Sequence, residues 1–593
     1  MPLLDLRRVS EHLRRLVRDV RALPRWSQLL STALVVIAAA LALPRGGPGA
    51  ALVVLVCVFV AMIVASLVAD PSDQRWVLLF ALVAITGREA LMSGIDVILL
   101  SRGLRFYAPD EHVYLDHGYW LWQWWNGHPM SPEALDVYLR SWYVHWIARL
   151  YQLFGEDLTI VKAINTLLGV VACLFGYRIM RNLGMPGARW ALVVLLAFPS
   201  IVLWTALAMK DAWVIFFLFA SAFAASEFIA RRSWPWLAAA IVVLTPLRTV
   251  RLYMLVIGAL ALLAVPFGFV RWRDRLKSAG VLAAVYVFFA IIQPFSDLPS
   301  NPFYLPIFLR EVGAQAARSS FVDPAPVIQG QPGDRFQVQV TSGATASPGT
   351  TPEVVFVEPG TRIVVATGSA WPTPSAAASS IRTPAVVRPG DIVVIVSPKP
   401  NGAPTASAAA TTAPATSTPG PSLTPTATPR VVVVEPEAKN IVGLSSEVDP
   451  DQSSVSGSLT TNLKHLPIGA SYTLLAPFPW TARTLEQIAT IPEMLTWYVC
   501  LVAAVIGFLY LLRRRDTRYA YGIAAIIGLT IVLSLISANV GTLVRSRAML
   551  VPYVVLLSAV GFDAVLRRYP AIRARAPWLW WPEDGDQSVR SGS

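Results

Sequence analysis

The stretch FPSIVLWTALAMKDAWVIFF, Phe198–Phe217, holds two apolar runs that meet at one charged pair, Lys210-Asp211. Upstream the apolar run reaches back to Trp190, and downstream it continues past Ile229. Each side is about the 20 residues that a helix needs to cross a bilayer. A Lys-Asp pair in so tight a turn is either a local ion pair or a functional group, because unpaired ions beside an apolar zone are costly.

The same pattern recurs along the chain. The 593 residues are 55% hydrophobic and 14% charged, with a mean hydropathy of +0.55. Soluble domains carry about 25% charged residues, so a soluble enzyme is excluded, and disorder throughout is excluded by the hydrophobicity. Three cysteines, Cys57, Cys173 and Cys500, all inside apolar runs, cannot build a disulfide scaffold. Twelve candidate spans start near Trp26, Gly49, Trp76, Leu158, Trp190, Trp213, Pro235, Leu252, Ser278, Pro492, Tyr519 and Met549. Arg248 and Arg251 interrupt the run from Pro235 to Val270, which therefore reads as two helices with a tight turn. The expected class is an all-α polytopic membrane protein of about twelve transmembrane helices.

Orientation follows the basic residues. With the N-terminus inside, 26 Lys and Arg fall in the inner segments, against ten outside apart from one long insert. The net charge of +13 is then mostly a topological signal, both termini are cytoplasmic, and no nucleic-acid partner is expected. Segment 1–75 is a basic N-terminus with two helices. Residues 76–300 form a core containing a first outer loop, 101–157. An extracytoplasmic insert spans 301–465, three helices fill 466–568, and 569–593 is a cytoplasmic tail. Within the insert, 325–397 carries short β-like runs after Pro-Gly pairs, FQVQV, RIVVAT and IVVIV, and 398–430 is a Pro/Thr/Ser/Ala-rich linker expected to be disordered. A packed β module and a poorly ordered loop are both compatible with that pattern.

The first outer loop carries the chemistry. Leu104–Met130, LRFYAPDEHVYLDHGYWLWQWWNGHPM, has adjacent carboxylates Asp110 and Glu111 at a membrane exit, where a general base is well placed. As a helix it places Tyr114, His117, Leu121 and Trp124 on one face, suited to lying on the bilayer interface. Its tryptophans read as interfacial anchors, with sugar stacking the lesser reading. His112 and His117 are five apart, a poor spacing for a metal. Arg248, Arg251, Arg545 and Arg547 lie at outer membrane ends, where arginine's fork suits a lipid phosphate; snorkelling to headgroups accounts for any one of them equally well. Arg88 and Glu89, deep in the third span, read as interior polar support.

These motifs resemble the GT-C membrane glycosyltransferases, in particular the protein-mannosyltransferase and lipid A aminoarabinose transferase type. PDEHVY, Pro109–Tyr114, is similar to that family's first-loop opening. LFG at Leu153–Gly155, Asn165, the turn Arg181–Gly184, Pro199 and Asp211 follow in order. LLAPFPW, Leu474–Trp480, and the arginine-then-proline pattern within Asn539–Phe562 are similar near the C-terminus. The resemblance covers about 76–300 and 465–568; the two N-terminal helices and the insert depart from it. It implies an enzyme of the plasma membrane of the bacterial cell envelope. That enzyme moves a sugar from a polyprenyl-phosphate donor to a glycan, lipid or protein acceptor on the outer face. Asp110 would be the base and Glu111 its alternate, with Asp211 catalytic and orienting the base or binding the acceptor or a divalent ion. Tyr114, Lys210, Arg248, Arg251, Arg545 and Arg547 would bind substrate. No cofactor is required by the pattern beyond a divalent cation, Mg or Mn, whose ligands the sequence does not name. A lipid-linked glycan polymerase and a flippase or transporter of envelope polysaccharide are the alternatives. Because Pro398–Arg430 carries no residue chemistry that sugar transfer needs, its deletion should leave the activity of the folded protein intact, and in intact cells the segment should be cut by added protease.

Overall fold

In the computed structural model the described residues are 17–18, 20–101, 109–130, 135, 139, 141–269, 271–292, 466–478, 490–536 and 540–569, together with seven short strands between 327 and 435. The side chain of Asp110 and the linker 398–430 lie outside them. The chain divides into two units, one of 1–316 with 454–593 and one of 317–453.

The first unit is helical. α1 spans Arg25–Val68 and breaks at Gly47, whose φ of 63° suits a residue without a Cβ. α2 spans Gln74–Ser101. The segment expected to be the first outer loop carries α3, Pro109–Trp125, and α4, Trp142–Phe154. α5, Leu158–Asn182, follows, then α6, Ala188–Ala197, α7, Pro199–Ala206, and α8, Asp211–Arg231. Three short helices come next: α9, Trp234–Val242, α10, Leu247–Val250, and α11, Leu252–Leu262. α12 is Trp272–Ile292 and α13 is Leu466–Leu475. α14, Ile491–Arg513, α15, Ala520–Ile536, α16, Val540–Arg547, and α17, Val551–Leu566, complete it. Among the described residues six helices are long and apolar enough to cross a membrane, and seven if the bent pair α6–α7 is one span. Five further apolar helices are shorter. This is an architecture compatible with a membrane protein.

α5, α8 and α17 form the buried centre, with side chains such as Tyr177, Phe219 and Tyr553 almost fully enclosed. α1 and α14 instead expose rows of Leu, Val and Phe, as helices facing lipid do.

The bend of 53° between α6 and α7 has a local cause. Pro199 begins α7 and has no N–H to give to Leu195, four residues back, and Phe198 before it is extended. The carbonyls so released are taken by Arg88 from α2. Its Nη2 donates to Leu196 O at 2.8 Å and to Leu195 O at 3.3 Å, and its Nη1 lies 3.4 Å from Thr205 Oγ1. At the opposite end of the bundle Asp70 and Asp73, between α1 and α2, bind α5 and α6. Arg178 lies 2.6 Å from Asp70, Arg189 Nε donates to Asp73 at 2.9 Å, Tyr177 OH donates to Asp73 at 2.7 Å, and Arg181 also pairs with Asp70.

α3 does not present the face expected from the sequence. Glu111, Leu115, Gly118 and Leu121 are its buried stripe, because a Cβ at Gly118 would collide with Ile147 and its absence lets α4 approach. Val113, Trp120 and Trp124 face outward.

The second unit carries strands β1, Val327–Gln329, β2, Arg335–Thr341, β3, Glu353–Val357, β4, Arg362–Ala366, β5, Val386–Val387, β6, Val393–Val396, and β7, Val431–Glu435. They pair in the orders β1-β4-β6 and β5-β3-β2-β7. Three of them, β2, β4 and β6, occupy the runs that follow Pro-Gly in the sequence.

Arg88→Met should strand the Leu196 carbonyl and leave that of Leu195 with only the weak Cys173 thiol donor. A hydrogen bond to a charged group contributes about 1.5–3 kcal/mol, so unfolding in mixed micelles should show a loss of that order, with the helix content of the folded protein unchanged.

Candidate active site

The turn at 207–211 joins α7 to α8, and α8 begins at Asp211 with Lys210 as its N-cap. Asp211 is fully buried. Arg251, between α10 and α11, places Nη2 2.6 Å from Asp211 Oδ1. Arg545, from α16, places Nη2 2.6 Å from Oδ2 and donates through Nε at 2.8 Å. One carboxylate is thus spanned by two guanidiniums from segments far apart in the sequence. A buried ion pair gains little over an apolar replacement, but removing one partner costs about 3–5 kcal/mol. The helix N-terminus adds partial positive charge at the same place.

Neighbouring rings frame these groups. Lys210 Nζ sits 5.3 Å above the Tyr114 ring, and Arg545 lies 5.8 Å from that of Trp204. Tyr114 meets Tyr143 edge-on at 5.4 Å. Arg251 also donates to Tyr253 OH at 2.9 Å. Burial, with Arg251 next to it, pushes the Lys210 ammonium down to about 8.

The turn is held from α5. Asn165 Nδ2 donates to Leu207 O at 2.7 Å and to Met209 O at 2.9 Å, with Tyr143 OH at 3.3 Å. Glu111 Oε1 accepts from Ala208 N at 2.8 Å and lies 3.3 Å from Lys162 Nζ. Lys162 also donates to Asp96 Oδ1 at 2.7 Å, and Asp96, Lys162 and Glu111 are all enclosed.

The structure therefore brings Glu111, Tyr114, Lys210, Asp211, Arg251 and Arg545 together. Glu111 faces inward, committed to Ala208 and Lys162, rather than outward from a loop. Asp110 is in the first turn of α3, but its side chain is outside the described residues. Arg248 is exposed on α10. Arg547 turns into the core instead. It donates to the Ala476 carbonyl, touches Met494 sulfur at 3.0 Å and lies 5.3 Å from the Trp497 ring. Two residues apart on a helix differ by about 200°, which is why Arg545 and Arg547 part company. His112 pairs with Asp116 at 2.8 Å. Among the described residues no group of three or more His, Cys, Asp and Glu side chains is placed to hold a metal ion.

The sequence reading passed over Asp96 and Lys162. Their signal was present, since both are charges inside apolar runs, and such charges are usually paired and interior.

No protein-family model, curated protein or solved structure matches this chain.

Lys210 is a cation below its pKa and neutral above it. Any affinity of this cluster for an anion should weaken as pH rises through about 8, and Lys210→Met should abolish that dependence; inorganic phosphate as the probe, titrated from well below to well above that value, is the measurement.

Proposed function

We propose that the chain is an integral membrane glycosyltransferase of the GT-C kind, with about twelve spans and both termini cytoplasmic. It moves a sugar from a polyprenyl-phosphate donor to an acceptor hydroxyl at the extracytoplasmic face of the plasma membrane. The observation that carries this reading is the meeting of Lys210, Arg251 and Arg545 around one buried carboxylate at the ends of apolar helices. A lipid phosphate arrives at such a depth, and fixed cations stabilise the charge that grows on it as it leaves. The long apolar tail needs the bilayer, and the phosphate needs arginine's fork or a lysine.

In this reading the acceptor hydroxyl gives its proton to a carboxylate on the first turn of α3, and its oxygen bonds to the anomeric carbon. The bond from that carbon to the phosphate oxygen breaks, and the electron pair leaves with the phosphate. Asp110 is the preferred base, because Glu111 is engaged by Ala208 and Lys162. Asp211 spaces the two guanidiniums. Running the assay with Mg, with Mn and with a chelator reads the need for a divalent cation.

A flippase or transporter of lipid-linked glycan is the second reading. The bent pair α6–α7 favours it, since broken helices build transporter sites. Proteoliposomes with labelled polyprenyl-phosphate sugar separate the two, because one product is a new glycoside and the other a translocated lipid.

General-base loss typically lowers rates by about 10²–10⁴. Asp110→Asn should do so with donor affinity nearly unchanged, whereas Arg545→Ala should chiefly weaken donor binding. Turnover at the wild-type rate with both Asp110 and Glu111 neutralised would remove the base from this loop.

A further inference from the structure

Two side chains one turn apart on α5 grip the 207–211 turn from different sides. Asn165 takes the carbonyls of Leu207 and Met209 directly. Lys162 acts at one remove, because it lies 3.3 Å from Glu111 Oε1, the atom that accepts from Ala208 N. Lys162 is itself fixed by Asp96 on α2, at 2.7 Å. All four groups, Asp96, Glu111, Lys162 and Asn165, are shut off from solvent. In a space of low polarity such charge contacts are stiff, and leaving one member without its partner is costly. The chain Asp96–Lys162–Glu111–Ala208 ties α2, α5 and α3 to the backbone two residues before Lys210.

We propose that Lys162 is a positioning residue, which through Glu111 pins the 207–211 turn and so sets the depth and spacing of Lys210 and Asp211. What that turn binds rests on the transferase reading, while the positioning itself does not. Lys162 touches no substrate in this scheme. With a neutral side chain in its place, Glu111 loses its cation, the Ala208 contact loosens, and Lys210 moves toward water.

The pH dependence of Lys210 acylation by acetic anhydride, read by mass spectrometry on the full chain in nanodiscs, tests this without any substrate. Facing Lys210 are Arg251, Asp211, Arg545, Tyr253 and, from α3, Tyr114, and none of them is altered by the variants used. In the wild type the reactivity midpoint should fall near 8, and in Lys162→Met it should rise toward the ordinary lysine value of 10.5. Lys162→Arg should restore the low midpoint. Asp96→Asn should shift it in the same direction as Lys162→Met, and it replaces that variant if Lys162→Met does not fold. Folded variants whose Lys210 midpoint stays at the wild-type value overturn the inference. Polyprenyl phosphate affinity of the wild type is measured alongside. If the midpoint shifts but the wild type binds no polyprenyl phosphate, the positioning role stands and the transferase reading falls. If the lipid binds and the midpoint does not move, the reverse holds.

Discussion

A carboxylate cannot stay ionised out of water unless cations come to it, and the requirement at Asp211 organises its end of the bundle. Arg251 and Arg545 each take one of its two oxygens. Arg545 is 334 residues away along the chain, with the whole insert between them. Closing so long a separation costs only slightly more entropy than closing a short one, which is why an insert of this size is tolerated. What must be preserved is the arrival of α16 beside the start of α8. The aromatic rings of Tyr114, Tyr143 and Trp204 fill the space around the charges and keep their number of water neighbours low.

Much of this was legible in the residues. Lys210-Asp211 at the junction of two apolar runs, and arginines at the outer ends of later helices, were enough to bring Lys210, Asp211, Arg251 and Arg545 to one place. Arg547 was not separable from Arg545 by sequence, because both sit in the last turn of one short helix and only the helix phase sends one to the carboxylate and the other to Trp497. Asp110 and Glu111 were adjacent on paper, with Glu111 the alternate base. That Glu111 is taken up by Lys162 and Ala208 is a tertiary fact that no local pattern records. The buried stripe of α3 depended on a single glycine, and no hydrophobic period records that a missing Cβ admits a neighbouring helix.

Arg88 shows a charge deep in an apolar helix used chiefly to satisfy backbone carbonyls, with Thr205 and Cys173 as side-chain neighbours. Pro199 breaks the ladder of a span, and the nearest cation completes it from another helix. The proline and the arginine, 111 positions apart, thus act on the same stretch of backbone. Local sequence rules are violated twice so that the bundle can carry a rigid bend just before the site turn.

The arginines opposite Asp70 and Asp73 carry a further consequence. Arg178, Arg181 and Arg189 are each spent on one of these two aspartates, and Arg178 also reaches Glu227. Ions paired this closely cancel much of each other's field at a distance. A tally of basic residues along the chain therefore overstates the positive potential that this end of the bundle shows to its surroundings.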